Sequence, residues 1–385
     1  MLYSTLKTYS GLLQAAHETQ YKGLSMLNWK KRTRDATDSV NDSVDDVKSY
    51  FGGIWFSRAV ISVIVIYLLA TLVVGWYWSQ EPDFFSVQEH TQQAAEKAQH
   101  PLVTGYTTVE TLKNVATTLL DKPGGYLTND YAPPGIWLDN MPSWEYGVLV
   151  QVRDLSRALR KDFARSQSQS TEDADLAKAE PRFNFDNKSW ILPATEDEYR
   201  LGIKSLNSYL KRLSDPEKSN TQFYARADNL NNWLGDVATR LGSLSQRLSA
   251  SVGKARLNID QDGEVETNDP LLTGRSKGIE EEIVKTPWLQ IDNVFYEARG
   301  QAWALSHFLR AIEIDFADVI AKKNATVSVR QIIRELESAQ ESLWSPMVLN
   351  GDGYGILANH SLVMANYVSR ANAAIIELRQ LLSQG

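Results

Sequence analysis

IDNVFYEARGQAWALSHFLRAIEIDFADV, residues 291–319, places its apolar side chains in a rhythm of alternating fours and threes. Ile291, Phe295, Ala298, Ala302, Leu305, Leu309, Ile312, Phe316 and Val319 fall on one stripe of a helix. The same rhythm returns in Phe223, Ala227, Leu230, Leu234, Val237, Leu241, Leu244 and Leu248, and in Met364, Val368, Ala371, Ile375, Leu378 and Leu382. A shorter set comprises Val148, Val152, Leu155 and Leu159. Such stripes must cover one another, so the expected fold class is all-α, a bundle of long helices. No run alternates with a period of two cleanly enough to require a sheet.

A different pattern occupies IWFSRAVISVIVIYLLATLVVGWYW, residues 54–78. The twenty residues from Ala59 to Trp78 carry no charge, the length a helix needs at ~1.5 Å per residue to cross a ~30 Å hydrocarbon layer. Trp55 lies at one end, and Trp76, Tyr77 and Trp78 at the other, where amphipathic rings favour headgroups. Arg58 is close enough to the boundary to snorkel out of it. The stretch begins too far along the chain for a signal peptide, and WYWSQEPD offers no small-x-small cleavage site. It therefore reads as an uncleaved, single transmembrane helix. Lys48 and Arg58 flank its N-terminal side, with Lys30, Lys31, Arg32 and Arg34 behind them, whereas only Lys97 lies near the other side. That asymmetry predicts a cytoplasmic N-terminus and a bulk of chain outside the cytoplasm, which in a Gram-negative cell is the periplasm.

Composition narrows the function classes. With 385 residues, 43% of them hydrophobic, the chain can bury a sizeable core. Net charge is -7, so no excess of Lys and Arg exists to displace counterions and nucleic acid is not the expected partner. There are no cysteines, which removes disulfides, thiolate nucleophiles and cysteine-based metal sites. The histidines at 17, 90, 100, 307 and 360 form no i,i+4 pair and no HExxH, and His307 reads as an ordinary flank residue of its helix. No phosphate loop, nucleophile elbow or kinase set is present, so no cofactor and no metal are expected.

The chain divides into a tail (1–53), the anchor (54–78), a juxtamembrane helix with an aromatic loop (79–141), a first helical unit (142–252), a polar linker (253–286) and a second helical unit (287–385). In the tail, MLYSTLKTYSGLLQAA is amphipathic, and LNWKKRTR sets a Trp beside four basic residues that suit anionic headgroups. Thr195-Glu-Asp-Glu198 has the form of a capping box, and Pro142, Pro287 and Pro346 stand where helices start or restart. An echo links the units. Pro142 and Trp144 precede Arg153, Ala158-Leu159 and Asp162-Phe163-Ala164, while Pro287 and Trp288 precede Arg299, Ala304-Leu305 and Asp315-Phe316-Ala317. Trp190 and Pro193 match Trp344 and Pro346, and Arg226 and Arg370 follow Trp144 and Trp288, respectively, by 82 residues. The echo predicts two related three-helix units.

Three stretches are candidates for chemistry. GGYLTNDYAPPGIWLDNMPSWEY, residues 124–146, interleaves Tyr126, Tyr131, Trp137, Trp144 and Tyr146 with Asp130, Asp139 and Glu145. Aromatic faces beside carboxylates bind sugars, and two carboxyls, one protonated and one ionised, hydrolyse glycosidic bonds. The alternative is a clamp whose rings plug the bundle end while Asp and Asn cap a helix. In RDLSRALRKDFAR, Arg153, Arg157, Arg160, Lys161 and Arg165 share much of one helical face, suited to phosphate or else paired with acidic neighbours such as Glu172, Asp173 and Asp175. DQDGEVETND, residues 260–269, has the acidity of a calcium loop without the glycine and terminal Glu spacing of an EF-hand.

PGGYLTNDYAPPGIWLDNMPSWEYGVLVQVRDLSRALR, RSQSQSTEDADLAKAEPRFNFDNKSW and RADNLNNWLGDVATRLGSLSQRLSASVG resemble a family of proteobacterial membrane-anchored proteins whose shared domain has no assigned function, over roughly residues 50–385. The resemblance implies a Gram-negative inner-membrane protein and brings no reaction, cofactor or catalytic residue. The expected role is a scaffold or accessory binding component of an envelope assembly, with the inner membrane and an envelope protein as partners and an oligomeric state left open. Two alternatives stand beside it: an envelope-glycan-binding or glycan-hydrolysing protein using the aromatic loop, and a periplasmic ligand sensor, which lacks an evident cytoplasmic output domain. Orientation is directly testable. Alkaline phosphatase fused after residue 385 is expected to be active and green fluorescent protein at the same site dark, the reverse result refuting the assigned side.

Overall fold

The computed structural model describes residues 54–165, 171–215, 217, 221–257, 281–343, 347–351 and 357–384. The expected tail with Lys30, Lys31, Arg32, Arg34 and Lys48, the acidic stretch 260–269, Trp344 and Pro346 lie outside them. The chain forms two units, residues 1–72 and 73–385. Helix α1 (Ile54–Trp78) is unbroken and is long and apolar enough to cross a membrane. Ile61, Val63, Ile66, Leu69 and Leu72 are each more than half exposed. A core helix would hide such side chains, so α1 is not one.

The larger unit is built from α2 (Val87–Ala98), α3 (Tyr106–Asp121), α4 (Asn140–Ala158), α5 (Leu176–Phe183), α6 (Thr195–Leu213), α7 (Ala227–Ser249), α8 (Ile291–Asp315), α9 (Ala317–Lys322), α10 (Thr326–Ser338) and α11 (His360–Ser383). A single wider π turn, Leu159–Phe163, extends α4. The only paired strands among the described residues are β1 (Lys254–Leu257) and β2 (Glu281–Val284), antiparallel with Lys254 opposite Val284. They bracket the polar linker. The expected helical bundle is present, and its stripes are buried: Leu230, Leu234, Val237, Leu241, Leu244 and Leu248 of α7 face Met364, Val368, Ala371, Ile375, Leu378 and Leu382 of α11. Phe223, expected to begin the α7 stripe, precedes that helix and packs beside Phe163 and Phe316.

Helix α8 departs from its expected one-sided form. Every residue from Glu297 to Leu309 is buried, and α2, α3, α4, α7, α10 and α11 all touch the helix. Small residues between the large ones make this feasible: Gly300, Ala302, Ala304 and Ser306 let neighbours approach where a longer side chain would hold them off. The closest approach is with α4. A Cβ on Gly147 would overlap the Glu297 carbonyl oxygen, and one on Gly300 would overlap the Trp144 carbonyl oxygen, so the two backbones touch at reciprocal glycines. Trp144 and Trp303 fill the space beside the crossing with ring centroids 5.3 Å apart, and Phe163 meets Phe316 at its far end.

Gly147 with Gly300 and Phe163 with Phe316 share one spacing, 153 positions, so α4 and α8 run parallel. The echo stops there. Asp154 meets Arg240 and Asp162 meets Asn232, so α7 runs antiparallel to α4. Helix α11 runs antiparallel to α10 through Arg370 with Glu335 and Lys323 with Gln384, and α10 antiparallel to α8 through Arg310 with Glu337 and Arg330 with Glu313. The third helix therefore opposes the first in one segment and follows it in the other, and two superposable three-helix units are not formed. Shared amphipathic composition accounts for the remaining matches.

Several helix ends are satisfied by side chains from elsewhere. Gly105 precedes α3 without a side chain to cap it, and Asp315 accepts from the Thr108 N–H and hydroxyl, both at 2.7 Å. Arg299 donates to the Ala339, Gln340 and Glu341 carbonyls that follow α10 and pairs with Glu81 at 2.7 Å. The expected capping box at Thr195 is absent. Its hydroxyl donates to the Asp186 and Ser189 carbonyls instead, and Glu198 pairs with Arg182.

His307 is not a flank residue either. It is fully buried, its Nδ1–H donating to the Trp303 carbonyl at 2.7 Å and its Nε2 accepting from the Phe85 N–H at 3.3 Å, with the Phe85 ring stacked 4.0 Å away. Burial lowers its pKa to about 4, the Trp303 carbonyl opposing and Arg310 reinforcing the shift.

Two outcomes follow for the purified protein in detergent. Gly147→Ala and Gly300→Ala should each cost about 1–3 kcal/mol because the new methyl forces the helices apart, whereas Gly242→Ala, with only the Asn372 side chain at 3.4 Å, should be neutral or gain up to about 1 kcal/mol. Chemical denaturation checks both. The unfolded His307 takes a proton near pH 6.5 and the folded one only near 4. Its contribution is therefore complete above pH 6.5 and declines as pH falls toward 4, by roughly 3 kcal/mol. The stability difference between wild type and His307→Phe should shift by that amount across this range, and a pH-independent difference would refute it.

Candidate functional site

Residues 122–139 join α3 to α4, and the group that organises this loop is Glu145 in the first turns of α4. That carboxylate is fully buried and accepts from the Leu127 and Thr128 N–H groups at 2.8 Å, the Thr128 hydroxyl at 2.5 Å and the Lys122 ammonium at 2.5 Å. Lys122 also donates to the Gly125 carbonyl. Burial pushes the Glu145 carboxyl up, and Lys122, Thr128 and Leu127 pull against it by stabilising the anion. A group so enclosed holds the loop in place rather than meeting a substrate. Gly124, at a φ of 86°, lets the loop lie flat on the Trp78 ring, where a Cβ would collide.

The aromatic residues separate into two sets. Trp144 lies in the core against Trp303, and Tyr126 is buried edge-on to Tyr199 with its hydroxyl donating to the Asn187 carbonyl at 3.1 Å. Both rings are held within the bundle. Tyr131 and Trp137 are more than half exposed, and Tyr131 meets Trp190 edge-on at 5.6 Å. Asp139 begins α4 but its side chain makes no capping hydrogen bond, contrary to the cap expected there.

Asp130 and Asp139 line one open cleft of about 580 Å³, together with Tyr146, Lys188, Asn293 and Glu297. Asp130 is packed on Gly135, where any Cβ would displace its carboxylate. Its pKa is raised by burial and by Glu196. Asp292, which precedes Asn293, is raised by burial and by the Asp139 carboxylate. Glu297 forms a two-armed pair with Arg247 at 2.5 and 2.6 Å and accepts from Gln301, which in turn accepts from Gln151. The cleft is thus acidic, with Lys188 as the basic residue on its wall.

The basic face of α4 is committed to structure. Arg153 donates to the Phe183 and Phe185 carbonyls at 2.7 and 2.9 Å, closing the end of α5. Arg157 pairs with Asp154, and Arg160 with Glu180 and Glu172. Asp173 and Asp175 pair with Arg212. Among the described residues no group of three His, Cys, Asp or Glu side chains is placed to hold a metal ion.

Sequence reasoning missed Lys122 and Lys188, the acidic pair of Asp292 and Glu297, and the exposed run Trp190-Ile191-Leu192. The last had a signal, three large apolar residues before Pro193 outside any helical stripe. Lys122 had none, since its partner lies 23 positions away across an irregular loop.

An apolar helix followed by an all-α bundle with an acidic cleft is the class of protein that these features define. The chain belongs to the family described as "Uncharacterized protein conserved in bacteria (DUF2333)", which it matches over residues 49–385. No curated protein and no solved structure matches it.

The Lys122–Glu145 pair makes a distinctive prediction. Glu145→Gln and Lys122→Met should each destabilise by about 3–5 kcal/mol, because each strands a buried partner. Thermal unfolding and steady-state protein level should fall together, and a Glu145→Gln protein as stable as wild type would contradict the structural role.

Proposed function

We propose that the protein is a single-pass bacterial inner-membrane protein whose periplasmic helical bundle works by binding, as a scaffold or accessory component of an envelope assembly. The observation that carries this reading is how the reactive candidates are used. Glu145, Arg153, Arg157 and Arg160 are all engaged within the bundle. What faces solvent is an open acidic cleft and a set of apolar side chains, features of recognition rather than of an assembled reaction centre. The exposed apolar α1 and the basic residues before it support the membrane and the orientation.

One observation favours a second reading, glycan binding or hydrolysis: Asp130, Asp139 and Tyr146 share a cleft of a size that holds a sugar. The two readings part experimentally. A photo-crosslinking residue at Tyr146 or Lys188, introduced in the full chain in native membranes, should capture one defined envelope protein, with none captured from Val327 on α10. Absence of an adduct at the cleft would defeat the binding reading. A hydrolase would instead release sugar fragments from purified peptidoglycan, and Asp130→Asn or Asp139→Asn would reduce that release by at least about 100-fold while leaving protein level unchanged.

A further inference from the structure

The two loops that lead into α4 and α6 share an exposed apolar surface that no helix of the bundle covers. Tyr131, Ile136 and Trp137 on the first loop and Trp190, Ile191 and Leu192 on the second are each more than half exposed, with Leu192 at 91%. The loops are joined to each other. Asn129 donates to the Ser189 carbonyl at 2.9 Å and to Glu196 at 2.8 Å, Tyr126 donates to the Asn187 carbonyl, and the Tyr131 and Trp190 rings are in contact. The six side chains therefore stand on a rigid, hydrogen-bonded support rather than on free ends. Leaving them in water is costly, at about 25 cal/mol per Å² of apolar surface.

Their location tells what covers them. The first loop packs directly on the last turn of α1: Gly75 has Pro134 within 3.4 Å and Leu138 within 3.9 Å of its Cβ position, and the Trp78 ring lies on Gly124. Trp76 and Tyr77 of that turn are themselves exposed. This is the turn at which the apolar helix ends, the level of the headgroups if α1 crosses a bilayer. Five of the eight exposed side chains gathered here, Trp76, Tyr77, Tyr131, Trp137 and Trp190, are Trp or Tyr, the residue types that favour the membrane–water boundary.

We infer that these two loops form a second membrane contact, in which Tyr131, Ile136, Trp137, Trp190, Ile191 and Leu192 sit in the headgroup and upper acyl region of the leaflet from which α1 emerges. The inference rests on the membrane reading of α1. It holds the bundle against the bilayer surface at two places, the helix and the loops, and removes the freedom of a single tether.

Because the chain has no cysteine, single cysteines can be introduced without background. Trp137→Cys, Leu192→Cys, Val327→Cys and Val65→Cys are made separately in the full chain, labelled with an environment-sensitive fluorophore, and reconstituted in vesicles of phosphatidylethanolamine and phosphatidylglycerol. Lipids spin-labelled near the carbonyl, or near the middle of the chain, then serve as quenchers. Labels at 137 and 192 are expected to be quenched by the shallow spin label at least about twofold more than the label at 327. Using one position on each loop guards against a local disturbance. If 137 and 192 are quenched no more than 327 while 65 is quenched by the deep spin label, the loop contact is refuted and the anchor stands. If 65 is not quenched either, the anchor reading fails and the loop contact falls with it.

Discussion

Backbone contact between α4 and α8 at Gly147 and Gly300 is the constraint on which the rest of the bundle depends. Side chains usually keep packed helices some 8–10 Å apart, and two facing glycines remove that spacer. The gain is not in the glycines themselves, which cost helix propensity. It lies in what the close approach permits: Trp144 and Trp303 interlock beside the crossing, and the carboxamides of Gln151 and Gln301 meet within the seam. With α4 so near, α8 becomes the axis against which α3, α7, α10 and α11 are laid. Enlarging either glycine would disturb all of those contacts at once.

A second theme is the use of charge. Helix termini here are often closed by residues remote in sequence, Asp315 at the start of α3, Arg153 beyond α5 and Arg299 beyond α10. Each such bond stitches one helix to another while satisfying groups that water would otherwise have to reach. Arg299 adds a link to Glu81, and His307 holds Phe85, so the short segment between α1 and α2 is locked to the central helix by a salt bridge and by ring stacking. The same economy holds for the arginines of α4, whose carboxylate and carbonyl partners are already in place.

How much of this was legible beforehand depended on whether the information was local. Periodic stripes in α7, α8 and α11, and the uncharged run of α1, are written in residues a few positions apart; the stripes emerged as helices with the expected faces buried, and the run as one unbroken helix with its apolar side chains exposed. The all-round burial of α8 was not visible from its stripe, because Gly300, Ala304 and Ser306 look neutral until a neighbour is known to lie on them. Polar partners were the least readable. Thr195 has the sequence form of a cap yet donates to loop carbonyls, and Glu145, singled out for chemistry, closes on a lysine in the preceding loop. The aromatic loop divided for a similar reason: Trp144 is on the inward face of a helix, while Trp137 precedes it on a turn. Asp130 and Asp139 were identified from composition, but the opposite wall of their cleft, with Asn293 and Glu297, comes from α8 and has no mark in the loop's own sequence.

The pairing of α4 with α8 also sets an order of events at birth. Gly147 emerges from the ribosome 153 positions ahead of its mate, a delay of roughly 8–30 s at about 5–20 residues per second. Throughout that interval α4 presents Val148, Leu149, Val152 and Leu155 with no axis to rest on. Long-range closure of this kind makes the nascent intermediate slow to mature and prone to sticking. The order of the helices therefore leaves the apolar face of α4 uncovered until α8 has been made.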